Sequence, residues 1–341
     1  MVLDFSRYAL TPIATNDGRF VDFAPYVASI NDDGVVAFQA TLGDGHSGVF
    51  TSGGTSIADV GVTASAACPA RLFSSHPDIN QAGKLAVYAT LKSGEQAVLL
   101  VQPDGSMTAT DARHGLSSIG PLGPTMNEHD DVAVRATSPN GQACIGVWRG
   151  AQFRVIAEAG DRFSRFEGLP VVNNDGHVVF RADLPDQGQG IFVHRGEQCA
   201  AVATTGDGFE EMARFPMVND RGDVAFVARR TSGAWAVFNA ASGQLACVVD
   251  AEAGFESFRG ALINNAGLVA FYGTPTGGQL GIYTGPDPVH HRALGLGDTL
   301  FGATVVDFAL NPVSINALGQ LAIRVALDDR HQFILRADPV A

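Results

Sequence analysis

Short apolar runs alternate with tight polar turns along the whole chain, and the turns share one pattern. An asparagine is followed three residues later by glycine, or in one copy by aspartate, and an apolar run comes next. The seven asparagines are Asn31, Asn80, Asn127, Asn173, Asn219, Asn264 and Asn316. Asparagine and glycine tolerate the positive φ that a tight turn between two strands requires. The pattern therefore predicts seven copies of a unit built on two strands joined by such a turn.

The spacing of this repeat predicts the architecture. Successive repeat asparagines are 49, 47, 46, 46, 45 and 52 residues apart, which is the period of a four-stranded propeller blade. In the fourth copy, four strand-like segments fall at residues 169–172, 177–183, 190–194 and 199–203. No helical period is sustained over three turns. We therefore predict an all-β protein with a single domain over residues 1–341, folded as a seven-bladed β-propeller.

The two ends of the chain predict how the ring closes. After Asn316 there is room for strands at residues 320–327 and 332–336 only, so the last blade lacks its outer strand. Residues 12–23 align with residues 155–166, which include part of an outer strand. Pairing residues 6–14 with the last blade would complete that blade and remove an exposed sheet edge. We expect this N-terminal strand to be the outermost strand of the seventh blade.

Charge and composition narrow the range of partners and compartments. The net charge is −13 and only two lysines are present, which argues against nucleic acid because its binding needs a basic surface. No apolar run approaches the roughly 18 residues of a membrane span, and the first residues lack the features of a signal peptide. We expect no membrane partner and a cytoplasmic location.

The four cysteines are expected to be free thiols. Cys199 and Cys247 lie at equivalent places, each seven residues before a glycine. Equivalent outer strands of neighbouring blades are separated by more than about 10 Å, whereas a disulfide joins Cα atoms roughly 4.4–6.8 Å apart. We extend the expectation to Cys68 and Cys144, and free thiols fit a reducing compartment.

The repeat also carries a resemblance to a known group of proteins. Residues 173–180 spell Asn-x-x-Gly-x-x-x-Phe, residues 190–192 spell Gly-Ile-Phe, and residues 206–207 are a trailing Gly-Asp. The chain resembles the bacterial tandem-repeat proteins built on this unit. That resemblance covers nearly the whole chain and implies a propeller, but it implies no shared activity. Many such proteins look exported and surface-anchored, whereas no leader or anchor sequence is present here, which argues against a cell-surface role.

Known chemical motifs are mostly missing from the sequence. Gly43, Gly45 and Gly48 spell a dinucleotide-binding pattern, but a strand follows in place of the helix that would hold pyrophosphate. The repeat asparagines are interpreted as turn residues that bond their own backbone, in preference to a ring of metal ligands. The recurring arginines are interpreted as bridges between blades; they are Arg135, Arg181 and Arg324. We predict neither a metal nor an organic cofactor.

Candidate functional residues are those that depart from the repeat, because a site for one ligand must be asymmetric. The segment before each repeat asparagine should lead into the strand that faces the central channel. The polar residues found there are Tyr26, His76, Asp78, Glu167, Arg214, Arg259 and Asn311.

These residue types suggest a division of roles. His76 is the only histidine in these segments, and a pKa in the neutral range would make it the general base, with Tyr26 as an acid. Arg214 and Arg259 both lie five residues before a repeat asparagine, so they could converge on one anionic group. The other three, Glu167, Asp78 and Asn311, are predicted substrate contacts.

Two hypotheses of different classes follow. The first is a cofactor-independent enzyme, of the lyase, hydrolase or isomerase/cyclase type, acting on a small anionic molecule in the central channel. The alternative is a non-catalytic propeller that binds a protein or a small-molecule ligand on its top face. Propellers host both classes. We favour the enzyme because a single domain without an appended interaction module makes a poor scaffold.

Overall fold

Seven antiparallel sheets follow one another around a central channel, in the all-β, seven-bladed β-propeller that the repeat predicts. The computed structural model describes residues 8–111 and 116–340. Each sheet is one blade, and its strands run in chain order from the channel outward, except that the first strand of the chain is the outermost strand of the seventh blade. Apolar residues of the second and third strands fill the space between blades, and the largest fully buried side chains include Trp148, Tyr283 and Phe180.

The strand bounds are as follows. Blade one contains β2 (Phe20–Asp22), β3 (Ser29–Ile30), β4 (Val36–Leu42), β5 (Ser47–Ser52) and β6 (Ile57–Val62). Blade two contains β7 (Ala70–Phe73), β8 (Asp78–Ile79), β9 (Leu85–Leu91), β10 (Gln96–Val101) and β11 (Met107–Asp111). Blade three contains β12 (Ser118–Ile119), β13 (Thr125–Met126), β14 (Val132–Thr137), β15 (Ala143–Arg149) and β16 (Gln152–Glu158).

Blade four contains β17 (Arg165–Val172), β18 (Val178–Asp183), β19 (Gln189–Arg195) and β20 (Gln198–Thr204). Blade five contains β21 (Phe209–Met212), β22 (Met217–Val218), β23 (Val224–Arg230), β24 (Trp235–Ala241) and β25 (Gln244–Asp250). Blade six contains β26 (Phe255–Ile263), β27 (Val269–Pro275), β28 (Gly281–Tyr283) and β29 (Arg292–Gly295). Blade seven contains β30 (Thr299–Leu300), β31 (Ala303–Ala309), β32 (Leu321–Leu327), β33 (Gln332–Pro339) and β1 (Tyr8–Thr15). The described residues also contain three 3-10 turns; they are Thr205–Asp207, Ala251–Ala253 and Pro312–Ser314.

The chain's first strand closes the ring. β1 pairs antiparallel with β33, from Tyr8 opposite Pro339 to Thr15 opposite Phe333. It is therefore the outermost strand of the blade that also contains β32, which confirms the predicted closure. Residues 6 and 7 of the predicted strand lie outside the described residues.

The inner strand of every blade is irregular at the same place. In blades one, two, three and five it is split into two short pieces that both pair with the second strand. In blades four and six it is continuous but its register shifts, and in blade seven it leads into the 3-10 turn. We call the irregular stretches the bulge segments; they are residues 23–28, 74–77, 120–124, 167–171, 213–216, 259–261 and 310–314. They contain every candidate site residue except Asp78.

The repeat asparagines are turn residues, as predicted, and they also join the blades. Each Oδ1 accepts a hydrogen bond from the backbone N–H four residues later, as His177 N–H donates to Asn173 at 2.8 Å. In six of the seven blades the amide Nδ2 donates to the backbone carbonyl of the next blade's asparagine, at 2.9–3.3 Å. These hydrogen bonds link the inner strand of each blade to that of the next and so fix the blades to one another.

The one exception falls where the repeat lapses. Asn80 Nδ2 contacts Asp130 Oδ1 at 3.4 Å in place of a backbone carbonyl. Asp130 takes the position of the turn glycine with a φ of 62°, and its carboxylate pairs with Lys84 at 2.6 Å. One of the chain's two lysines thus replaces a link that the degenerate copy has lost.

A second ring of bonds runs beside the first. The side chain that follows each repeat asparagine accepts a hydrogen bond from the corresponding backbone N–H of the preceding blade. The donor and acceptor pairs are Asp32 to Gln81, Gln81 to Glu128, Glu128 to Asn174, Asn174 to Asp220, Asp220 to Asn265 and Ala317 to Asp32. The missing link would need an acceptor at Ala317, whose methyl group has none.

We expect Asn173→Ala to lower the free energy of unfolding by about 2–4 kcal/mol. The change leaves the partly buried N–H of His177 without its acceptor, which costs about 1–3 kcal/mol, and removes one of the two donors to the carbonyl of Asn219, a hydrogen bond of about 0.5–1.5 kcal/mol. Chemical denaturation of the two proteins measures the difference. Asp175→Ala, at an exposed position of the same turn, is the matched control and should change little; equal effects of the two substitutions would contradict the structural role.

All four cysteines are free, as the blade geometry predicts. No helix in residues 8–111 and 116–340 is long and apolar enough to span a membrane.

Candidate functional site

The bulge segments line two neighbouring cavities on the channel side of the blades. The His76 cavity, of about 620 Å³, brings together Tyr26, His76, Arg259 and Asn311 from four blades. The arginine cavity, of about 600 Å³, is lined by Arg135, Arg165, Glu167 and Arg214 among others. Both cavities include Pro121, Leu122 and Phe215 in their walls. Six of the seven candidate residues therefore lie in two adjoining cavities.

His76 is buried, with 3% of its surface exposed. Its ring packs against Gly123 of the next blade, where any Cβ would overlap the imidazole. Burial lowers the pKa of His76 to about 4, against the opposing effect of the Leu122 and Pro124 carbonyls. The neutral-range pKa expected from the sequence is therefore wrong, because the expectation took no account of the blade-three segment that covers the ring. At neutral pH the imidazole is uncharged, and its Nε2 has no hydrogen-bond partner among the described residues.

Two tyrosines face the same cavity. Tyr26 is half-buried, and burial raises the pKa of its hydroxyl. Tyr272 was not among the candidates; its hydroxyl donates to the carbonyl of Leu310 at 2.8 Å and accepts from the Leu310 N–H at 2.6 Å. The sequence does contain a signal for it. Tyr272 lies eight residues after Asn264, which is the offset at which the recurring arginine Arg181 follows Asn173. Tyr26 is therefore the tyrosine whose hydroxyl is open to a ligand.

Arg259 and Asn311 differ in how they are engaged. Arg259 is exposed and forms no hydrogen bond or ion pair with any residue the structure describes. Asn311 caps the 3-10 turn, because its Oδ1 accepts from the Val313 N–H at 3.1 Å and from the Ser314 hydroxyl at 3.2 Å. Arg259 is therefore available to an anionic ligand, whereas the Asn311 Oδ1 already holds the local backbone.

Glu167 is surrounded by arginines in the other cavity. It pairs with Arg165, with Arg214 at 3.2 Å and, more distantly, with Arg181 at 3.7 Å. Asp183 shares two of these partners, at 3.1 Å from Arg165 and 2.7 Å from Arg181. Glu167 therefore positions arginines in this conformation. The structure does not bring Arg214 and Arg259 into one cavity, and their convergence on a single anion stays a prediction.

Arg135 is the one recurring arginine that bridges two blades. Its Nη1 donates to the carbonyl of Phe166 in blade four at 3.0 Å. Arg181 and Arg324 instead pair inside their own blades, with Asp183 and with Asp307 at 2.7 Å. The bridging role expected for those two is wrong, because an aspartate of the same blade lies within reach of each. Because Arg135 recurs in the repeat, the sequence pattern indicated only a structural role and did not predict its place in a cavity wall.

Asp78 lies away from both cavities, toward the asparagine turns. It lines a third cavity of about 320 Å³, which six of the seven repeat asparagines surround. Its buried carboxyl accepts a hydrogen bond from the Met126 N–H of blade three at 2.6 Å, and burial raises its pKa to about 8. Thr125 makes the equivalent link between blades three and four. The structure thus shows Asp78 joining two blades, in a cavity that His76 does not line.

No group of three or more His, Cys, Asp or Glu side chains within residues 8–111 and 116–340 could hold a metal ion.

Solved structures share this fold at low sequence identity. An oligogalacturonate lyase in complex with manganese is 11% identical with a TM-score of 0.60, and the match covers 100% of this chain and 99% of that one. A prolyl endopeptidase is 11% identical, with a TM-score of 0.57 over 99% of this chain and 51% of its own. A puromycin-hydrolyzing peptidase of Mycobacterium tuberculosis is 13% identical, with a TM-score of 0.53 over 97% and 53%. The chain thus spans about half the length of the two peptidases, and at these identities the likeness shows the fold alone.

Sequence comparison gives a family without an activity. No curated protein matches the chain. Residues 55–333, which include at least part of every blade, match a family described as being of unknown function. The chain therefore belongs to that family, DUF7453.

Proposed function

We propose that the protein binds a small anionic molecule in the His76 cavity and acts on it as a lyase, hydrolase or isomerase without an organic cofactor. The observation that carries the proposal is the convergence of Tyr26, His76 and Arg259 on one cavity. All three depart from the repeat, and they come from three blades. A cavity of about 620 Å³ is within the usual range for small-molecule sites, which is about 300–1,000 Å³.

The environments of the three side chains suggest their roles. Arg259 is a cation without a partner among the described residues, and a guanidinium suits a carboxylate or phosphate because it offers two parallel donors. The Tyr26 hydroxyl, whose pKa is raised, holds its proton at neutral pH and can donate it. His76 is uncharged at neutral pH, and its Nε2 has no hydrogen-bond partner among the described residues. A substrate would reach Nε2 after the blade-three segment over the ring moves aside.

The alternative, a propeller that binds a ligand without turning it over, is favoured by one observation. A general base works best when its pKa lies near the operating pH, and the pKa of His76 is about 4. Such an imidazole is a weak base, and it serves equally well as a hydrogen-bond acceptor for a bound ligand. The two functions therefore differ in turnover and share the same cavity.

Binding is tested first, with a panel of small carboxylates and phosphates. The panel includes galacturonate, because the lyase that matches over its full length is named for an oligogalacturonate. We expect Arg259→Gln to weaken binding of an anionic ligand roughly tenfold or more, since a charge-assisted hydrogen bond contributes about 1.5–3 kcal/mol. Titration calorimetry measures the affinities. Arg71→Gln, at an exposed arginine outside both cavities, is the control and should bind normally; equal affinities of all three proteins would remove Arg259 from the site.

Turnover then separates the two functions. Once a ligand has been identified, product formation is followed by NMR for the unmodified protein and for His76→Asn, and the affinity of each protein for the ligand is measured in parallel. Loss of turnover with affinity retained supports the enzyme with His76 as base. Unchanged turnover excludes His76 from the chemistry, and binding without any turnover establishes the alternative.

A further inference from the structure

The arginine cavity carries a local excess of positive charge on an acidic protein. Three arginines line it, Arg135, Arg165 and Arg214, and Glu167 is the one carboxylate in the lining. Outside the lining, Arg181 pairs with Asp183, so this further pair leaves the balance of charge unchanged. The whole chain has a net charge of −13. Two positive charges are thus left without a counterion from the described residues, in a cavity of about 600 Å³.

The lack of a counterion is clearest at Arg135. Its side chain is half-buried, and its one hydrogen bond to a described residue goes to the neutral carbonyl of Phe166. Burial lowers its pKa against the opposing effect of Tyr88, and the neighbouring charges of Arg165 and Arg214 lower it further. An unpaired, partly buried cation is unfavourable unless something compensates it.

Arg181 gives a second, independent observation. Only 4% of its side chain is exposed, and although Nη1 lies within ion-pair distance of Asp183, Nε has no hydrogen-bond partner among the described residues. Buried guanidinium nitrogens are rarely left in this state. Arg181 does not line the cavity itself, but it shares Glu167 and Asp183 with Arg165 and Arg214, so these two carboxylates serve three arginines.

An apolar ridge separates the arginine cavity from the His76 cavity. Leu122 of blade three and Phe215 of blade five belong to both walls. The Leu122 side chain is 40% exposed, and its φ of 87° is one that leucine rarely adopts. Strained residues of this kind cluster at functional sites, and this one lies in the wall that the two cavities share.

We infer that the arginine cavity is a second anion-binding subsite, and that the ligand is an extended molecule with anionic groups on either side of a ring-shaped or apolar middle. One anionic group lies with Arg259, the middle crosses Leu122 and Phe215, and the next anionic group lies with Arg135 and Arg214. The inference rests on the proposed function of the His76 cavity. Oligomers of acidic sugars have this chemistry, because each ring has an apolar C–H face and carries one carboxylate.

The test compares galacturonate with trigalacturonate, which repeats the same unit. We expect the full-length protein to bind the trimer at least tenfold more tightly than the monomer. Arg135→Gln, which removes the charge and keeps a polar side chain, should reduce trimer affinity about tenfold and leave monomer affinity unchanged. Arg259→Gln should weaken both ligands. Circular dichroism and the melting temperature check that each variant folds, and Arg71→Gln is again the control.

The outcomes separate the inference from the proposed function. If the monomer binds through Arg259 and the trimer gains nothing, or if Arg135→Gln affects neither ligand, the second subsite is wrong and the proposed function stands. If the trimer binds and depends on Arg135 but not on Arg259, the subsite stands and the proposed role of the His76 cavity falls. If neither sugar binds at millimolar concentration, acidic sugar oligomers are excluded and the inference with them.

Discussion

Replacing Asp78 with threonine stabilises the protein at pH 8 and has little effect near pH 4. Burial raises the pKa of the Asp78 carboxyl from 3.8 to about 8. Between those values the folded protein keeps the proton and the unfolded chain loses it, so stability falls as the pH rises. The loss is on the order of 1 kcal/mol per pH unit over this window and is complete once the folded carboxyl also ionises. The threonine hydroxyl does not titrate in this pH range.

The repeat itself supplies the substitution. Thr125, at the equivalent place in blade three, accepts from the Val172 N–H and donates to the Pro170 carbonyl. Threonine at position 78 has the Met126 N–H and the Pro124 carbonyl at the matching places. We therefore expect the substitution to keep the link between blades two and three while removing the titrating group.

Chemical denaturation at pH 4, 6 and 8 measures the effect. His76 acts in the opposite sense, because its pKa is lowered from 6.5 to about 4 and stability is lost as the pH falls through that range. The comparison between the two proteins cancels the His76 contribution. A stability difference that is the same at all three pH values would show that Asp78 is ionised in the folded protein.

Gly168→Ala, at the centre of the blade-four bulge segment, is expected to destabilise the protein by about 2–4 kcal/mol and to weaken anion binding at the arginine cavity. Gly168 has a φ of 69°, and a Cβ there would overlap the backbone carbonyl of Arg214. The left-handed conformation costs an alanine roughly 1 kcal/mol, and forcing the two backbones apart adds about 1–3 kcal/mol. The displaced segment carries Arg214 and Phe215 with it.

Gly196→Ala provides the matched control. Gly196 has a similar φ of 59°, but no atom lies within 4 Å of the position of its Cβ. It should therefore show the backbone penalty alone and leave ligand affinity unchanged. Denaturation and titration of both variants separate the two terms; equal losses of stability would show that blade five does not press on Gly168.

The parts of the fold that repeat were predictable from the sequence. A period of 45–52 residues with an asparagine in each copy corresponds to one blade, and the unpaired strand signals at the two ends combine into β1 and β33. These follow from local turn chemistry and from pairing between adjacent strands. The site departs from the repeat and depends on contacts between blades, which the period does not encode.

The division of the site into two cavities illustrates this limit. The offset of five residues before the asparagine is the same for Arg214 and Arg259, but the bulge segments of their blades differ. Blade five splits its inner strand, whereas blade six shifts its register. The pKa of His76 likewise depends on Gly123 in another blade. A sequence indicates which residues reach the channel; their neighbours there are set by packing.

The pairing of β1 with β33 also bears on how the protein forms. Thr11 and Asp338, which hydrogen-bond across that pairing, are 327 positions apart in the chain. Contacts between residues so distant in sequence form slowly, because the intervening chain must first be ordered. During synthesis the first strand leaves the ribosome long before its partner exists, and six blades can assemble while it waits. Closure of the seventh blade is then the last event, and until it happens β1 and β33 are both unprotected strand edges, open to pairing with another chain.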